Sequence, residues 1–228
     1  MRTVRLLTII ALAAASVSAQ ADTLALADTG TGSYGIKVTS LKERRFQSTL
    51  RQQYDFSCGS AAVATLLTYH YDYPVTEQSV FGEMFARGDQ AKIRREGFSL
   101  LDMKKFLQAH QFEADGFALP ISKLFEAGLP AIVLIVDKGY HHFVVVKGLR
   151  DGRVLIGDPS SGTRAISQKT FESIWVNKIL FVIHNKQTQA TFNHSTDWRA
   201  APRAPLAAGV GANSLAETAL YQFRPGDF

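Results

Sequence analysis

Apolar and polar positions give the chain two textures. Residues 59–71 are small and apolar almost without a break, including Ala61, Ala62, Val63, Ala64, Leu66 and Leu67. That run predicts a buried helix beginning at or just after Cys58 and closed by Pro74. Residues 76–85 read as a second helix with Thr76 as its cap. Residues 99–109 read as a third, capped by Ser99, with Leu100, Met103, Phe106 and Leu107 on one face. A short fourth helix is expected over 121–126. Beyond Pro130 the texture changes. Residues 131–136, 142–146, 154–156 and 179–183 are short, rich in Val and Ile, and bounded by Gly, Asp or Pro, as strands are. Asp151-Gly152 is a hairpin turn between the second and third of them. Helices first and an antiparallel sheet second predict an α+β fold.

The two ends differ from this middle. Arg2 and Arg5 precede an uncharged apolar stretch from Leu6 to Val17, and Ala19-Gln20-Ala21 follows with small residues where a signal peptidase reads. Residues 1–21 are therefore expected to be a secretory signal peptide, with cleavage after Ala19 or Ala21; the apolar run is too short for a membrane anchor. No later stretch is long and apolar enough to span a bilayer. Residues 22–45 read as an extended lead-in interrupted by Gly30, Gly32 and Gly35, and residues 46–187 as the folded domain. Residues 188–228, with Pro202, Pro205, Gly209 and Gly211, read as a linker or poorly ordered tail.

Charge and cysteine usage narrow the function. Loss of Arg2 and Arg5 with the signal takes the formal charge from +5 to +3. That mild balance, without a basic run interleaved with aromatics, argues against a nucleic-acid partner. Cys58 is the only cysteine, so it forms no internal disulfide, and a thiolate zinc cluster is excluded. A lone thiol in an exported protein is exposed to oxidation and asks for a reason.

Its setting is Gln52-Gln53-Tyr54-Asp55-Phe56-Ser57-Cys58-Gly59. A cysteine at a helix N-terminus meets the positive end of the peptide dipoles, which favours thiolate. Gly59 lets a substrate backbone come close. Gln52 and the Cys58 N–H are candidate donors to a developing oxyanion. The competing reading is a structural cysteine packed under its helix. His142 opens the strand 142–146, and a nucleophilic thiol needs such an imidazole to take its proton. His141 points to the opposite face of a regular strand, which also weakens a metal site built from His141, His142 and Asp158. Asp158 ends the partner strand before Pro159. It is a candidate to orient the imidazole, or else a turn-forming Asp-Pro.

Gln52-x5-Cys58-Gly59-x-Ala61, His142-Phe143-Val144-Val145 and Gly157-Asp158-Pro159-x-x-Gly162 together resemble the bacteriocin-processing cysteine peptidases. These are papain-like domains that cut leader peptides after double-glycine motifs, often fused to ABC exporters. The resemblance spans roughly residues 46–185. It implies a papain-like fold with Cys58 as nucleophile, His142 as base, Asp158 as orienter and Gln52 in the oxyanion hole, and no cofactor or metal. The chain departs from the exporter domains in carrying a signal sequence, no transporter region, and Ser57 where an acid often precedes the cysteine. Its layout is more similar to free-standing exported members, such as those encoded with the functional-amyloid secretion system of pseudomonads.

The expectation is a periplasmic cysteine peptidase acting on a secreted polypeptide, such as an exported amyloid subunit or a secretion-channel component. Two alternatives remain open on sequence: a thiol-dependent amidase or acyltransferase on cell-wall peptides, and a non-catalytic substrate-binding module of the same fold.

Overall fold

The computed structural model describes residues 39–202 and the backbone of residues 23–25 and 35–37. The expected signal peptide (1–21) and the tail beyond residue 202 lie outside the described residues. The chain divides into two units, Met1–Ser40 and Leu41–Phe228. In the first, strand β1 (Thr23–Ala25) pairs antiparallel with β2 (Gly35–Lys37), Thr23 opposite Lys37, so the lead-in contains a hairpin.

The second unit opens with α1 (Leu41–Arg45), then α2 (Cys58–His70), α3 (Glu77–Arg87), α4 (Gln90–Glu96) and α5 (Leu100–Ala109). After β3 (Ala114–Phe117) and α6 (Ser122–Ala127) come β4 (Ala131–Asp137), β5 (Tyr140–Arg150), β6 (Arg153–Asp158) and β7 (Gly162–Ser167). Helix α7 (Gln168–Ile174), β8 (Leu180–Ile183), a 3-10 turn (Gln187–Gln189) and α8 (Ser195–Trp198) complete it. Six strands form one antiparallel sheet in the order β3-β8-β4-β5-β6-β7.

The strands read as unbroken apolar runs because both sheet faces are covered. One face packs Ile132, Phe143, Val145, Phe181 and Ile183 under α2, α3 and α5. The other packs Val133, Ile135, Val144, Val146, Val154 and Ile156 against Leu124 of α6 and Phe171 of α7. Successive residues of β5 thus alternate between two cores, as a period of two requires. Helix α2 is buried almost all round, which is why its side chains are small. A Cβ on Gly59 would meet Met103 Cε at 2.8 Å and Phe98 Cβ at 2.9 Å. The glycine expected to admit a substrate backbone is therefore also required for α5 to dock.

Thr76 and Ser99 cap α3 and α5 as expected, Ser99 within a full capping box with Asp102. Lys138-Gly139 and Asp151-Gly152 carry paired positive φ angles, the backbone of tight hairpins between β4 and β5 and between β5 and β6. Among the elements additional to the predicted set are helices α1, α4 and α7 and strands β3 and β7. Each is short and half polar: α7 buries only Phe171, and β7 reads Gly-Thr-Arg-Ala-Ile-Ser. Arg94-Arg95-Glu96 closes α4, and the Arg94 guanidinium lies over the Phe85 ring.

The expectation that the chain past residue 187 is a linker or poorly ordered tail is corrected for residues 188–202. The Thr191 N–H donates to His70 O and the Asn193 N–H to Lys147 O, each at 2.9 Å. Asp197 and Trp198 are buried, and Asp197 pairs with Lys147 at 3.1 Å. A polar-looking stretch docks because its charge meets a buried partner that the sequence does not place beside it.

Candidate active site

Cys58 is the first residue of α2 and is 8% exposed. The residue before it, Ser57, does not cap the helix. Its hydroxyl donates back to Tyr54 O at 3.0 Å and accepts from Tyr54 N at 3.1 Å. The loop ahead of the thiol is thereby closed on itself, and rings of Tyr54, Phe56 and Phe81 pack it against α3, with Tyr54 and Phe81 centroids 4.9 Å apart.

Burial pushes the Cys58 thiol up from its ordinary range, and the charge of Asp158 pushes the same way. The N–H groups of Phe143, Gly59 and Cys58 itself pull it down but do not win. The position at a helix N-terminus favours thiolate, and burial opposes it. Loss of solvation is the largest of these influences on the thiol.

The donor from Phe143 places the thiol one residue along β5 from His142. His142 is half-buried and His141 is exposed, as their opposite faces require. Nε2 of His142 lies 3.2 Å from Asp158 Oδ2. That contact makes Nε2 the protonated nitrogen and leaves the Nδ1 lone pair free to accept a proton.

Asp158 uses its two oxygens differently. Oδ1 accepts from Ser160 N at 2.9 Å, Ser160 Oγ at 2.7 Å and Ser161 N at 3.3 Å, so the residue does form the Asp-Pro turn. Oδ2 accepts from His142 and from Arg164, each at 3.2 Å. The turn-forming and imidazole-orienting readings of Asp158 are both embodied in one side chain. Its burial alone favours the neutral acid, but hydrogen bonds from His142 and Ser160 and the nearby imidazole hold it well below the usual carboxylate range.

Gln52 joins the two halves. Its backbone N–H donates to Pro159 O at 3.1 Å, tying the loop before Cys58 to the residue after Asp158. Its side-chain Nε2 donates to Tyr54 O at 3.1 Å and Asp55 O at 3.4 Å, so the amide expected to face an oxyanion is engaged within the loop in this state.

Sequence reasoning passed over Arg164, Asp137 and Ser160. Ser160 had a visible signal in the Asp-x-Ser spacing of an Asx turn. Arg164 and Asp137 had none, because each acts across strands. No cluster of residues suited to a metal is found among the described residues, and no helix among them is long and apolar enough to cross a membrane.

A thiol at a buried helix head, with a His–Asp pair at the ends of facing antiparallel strands, defines the class of papain-like cysteine peptidases. The family described as Peptidase C39 matches residues 47–187. The chain belongs to the peptidase C39 family. It is 39% identical over 147 residues to the probable functional amyloid protease FapD of Pseudomonas aeruginosa, and 40% identical over the same length to its counterpart in Pseudomonas fluorescens. Each match covers 64% of this chain and 65% of the relative's length. The peptidase domain of ComA, a bi-functional ABC transporter of Streptococcus, superposes with a TM-score of 0.50 at 20% identity, over 60% of this chain and 97% of that one. That likeness is one of fold.

Proposed function

We propose that the protein is an exported cysteine peptidase that cuts a secreted polypeptide. The observation that carries this reading is the His142 Nε2–Asp158 Oδ2 contact of 3.2 Å beside the buried Cys58 at the head of α2. His142 Nδ1 takes the thiol proton as sulfur attacks a peptide carbonyl, and a C–S bond forms. The imidazolium, held by Asp158, returns the proton to the leaving amine as the C–N bond breaks. Water, deprotonated by the same imidazole, then hydrolyses the thioester and restores the thiol.

The Cys58 N–H at the head of α2 is one donor to the oxyanion. Gln52 supplies the second by giving up its longer bond, that to Asp55 O. The uncapped first turn supports this role, since Ser57 leaves the helix head open to an incoming oxygen.

The relatives support one substrate class. Identity of 39–40% to proteins named as probable functional amyloid proteases favours an amyloid subunit or a component of its export channel as substrate, met in the periplasm. Purified mature protein incubated with the subunit of a functional amyloid is expected to give defined fragments by mass spectrometry. Cys58→Ala is expected to give none, with unchanged circular dichroism. Equal cleavage by that variant sinks the assignment of the nucleophile. Cleavage of unrelated unfolded proteins but not of the subunit sinks the assignment of substrate.

A further inference from the structure

Four charged or titratable side chains share one face at one end of the sheet. Val144, Val146, Val133, Ile135 and Ile156 all face the second core. By strand alternation Asp137, His142 and Asp158 lie on that same side. Arg164 of β7 is directly opposite Ile156 of β6, so it too is on this face, diagonal to Asp158. The contacts agree with the register. One guanidinium nitrogen of Arg164 donates to Asp137 Oδ2 at 2.8 Å and to Asp158 Oδ2 at 3.2 Å. It therefore shares a single carboxylate oxygen with the His142 imidazole.

We propose that Arg164 is a positioning residue that sets the pH range in which the Cys58–His142 pair reacts, with Asp137 as its counterweight. The inference rests on the peptidase reading of Cys58, His142 and Asp158, and it deepens it. An unopposed Asp158 stabilises the imidazolium and disfavours the thiolate. A guanidinium on the same oxygen offsets that charge, so the pair gives up its protons at lower pH. Asp137 draws on the same guanidinium nitrogen and partly cancels it. The bridge also ties the ends of β4, β6 and β7 around the strand that carries His142.

The other charges near His142 do not compete. Its partner across β4 is Ile135. Tyr140 and His141 on its own strand are exposed, as is Lys138 in the turn. Cys58 lies at the head of α2, with the Phe143 N–H, one residue along β5 from His142, directed at its thiol; on the peptidase reading that thiol is the other half of the pair.

The reactive form of a thiol–imidazole pair holds one proton between the two groups, and it is bounded by gain of a second proton in acid and loss of the last in base. Removing a positive charge beside the pair raises both limits; removing a negative charge lowers both. The test is the rate of Cys58 alkylation by iodoacetamide as a function of pH, which needs no knowledge of the substrate. Cys58 is the only thiol, so the label reports one site.

Arg164→Gln is expected to move the profile to higher pH by about one unit, and Asp137→Asn to lower pH by a smaller amount. Arg164→Lys, which keeps the charge and loses the fork, is expected to restore the position of the profile. A merely structural arginine would lower the rate or the melting temperature in Arg164→Gln and leave the limbs where they are. That result, or shifts of the same sign in Arg164→Gln and Asp137→Asn, overturns the proposal. His142→Ala separates it from the reading beneath it. If His142→Ala moves the profile and Arg164→Gln does not, only the role of Arg164 fails. If His142→Ala leaves the wild-type profile in place, the Cys–His pair itself fails, and the role of Arg164 with it.

Discussion

Strand β5 carries two buried polar clusters, and they are built on opposite plans. At its start, His142 meets Asp158, and burial pushes the adjoining thiol up from its ordinary range. Five residues on, Lys147 occupies the irregularity between Val146 and Gly148 and points toward α2. Lys147 is 0% exposed and Asp197 5%. The ammonium donates to Ser48 O at 2.6 Å, to Ser48 Oγ at 2.7 Å and pairs with Asp197 at 3.1 Å, and the Ser48 hydroxyl donates to Asp197 as well. Burial pushes the Lys147 ammonium down from its usual range, and Asp197 opposes that. Every charge in the second cluster has its opposite beside it, and nothing there is left to react. The first cluster keeps a proton that has somewhere to go. A sealed, matched cluster holds the fold; a cluster with a shared proton and an open helix head can do chemistry.

The Lys147 cluster also explains why the docked strap at 188–202 matters to the other end of the strand. Asp197 grips Ser48, and the chain runs from Ser48 through Thr49 and Gln52 into the nucleophile loop. Thr49 bonds Thr163 of β7 at 2.8 Å on the way. The strap and the loop before Cys58 are thus anchored through one lysine.

The comparison breaks most sharply at Lys147. Lys147→Met leaves Asp197 buried without its cation and is expected to cost about 3–5 kcal/mol in urea denaturation. Replacing both, as Lys147→Met with Asp197→Leu, is expected to recover most of that loss, because the penalty lies in the orphaned charge rather than in the absence of a bond. A double variant no better than the single one would mean that the ion pair itself fixes the strap.

Acid separates the clusters next. His70 of α2 donates from Nδ1 to Thr191 O at 2.7 Å, and burial, with the nearby Lys147 charge, lowers its pKa to about 4. The unfolded chain binds that proton near pH 6.5. The stability His70 contributes is therefore complete above about pH 6.5 and is lost as pH falls toward 4, amounting to about 3 kcal/mol. Asp158, held below its ordinary 3.8, gives up its share only as pH falls below that value. Stability measured by denaturant at a series of pH values should show the first loss before the second. In His70→Asn the loss between pH 6.5 and 4 should vanish while the lower one persists.

The smallest effect sharpens the first cluster. Ser160→Ala removes one hydrogen bond to Asp158 Oδ1 and leaves the backbone N–H donors in place. It is expected to cost about 1 kcal/mol and to raise the Asp158 pKa, read by carboxylate NMR, without displacing the imidazole.

Much of this molecule was legible in its residues. The helix behind Cys58, the caps at Thr76 and Ser99, the Asp151-Gly152 hairpin and the segregated α+β order all follow from local chemistry, because caps, turns and apolar periods act within a few residues. The peptidase class was legible too, since Cys58, His142 and Asp158 stand in recognisable local settings. What the residues did not show was the docking of residues 188–202 and the burial that opposes a Cys58 thiolate. Both depended on surroundings that the sequence does not place side by side.

The sequence by itself determined which groups the protein owns: one thiol at a helix head, an imidazole at a strand start, an acid before a proline. Only the tertiary structure decided their state. It buried Cys58 so that desolvation pushes its thiol up, set Arg164 and Asp137 about Asp158 across three strands, and brought Asp197 back to Lys147. Protonation, charge balance and docking depend on distances through space and on the loss of water, and neither is written in the spacing of residues along the chain.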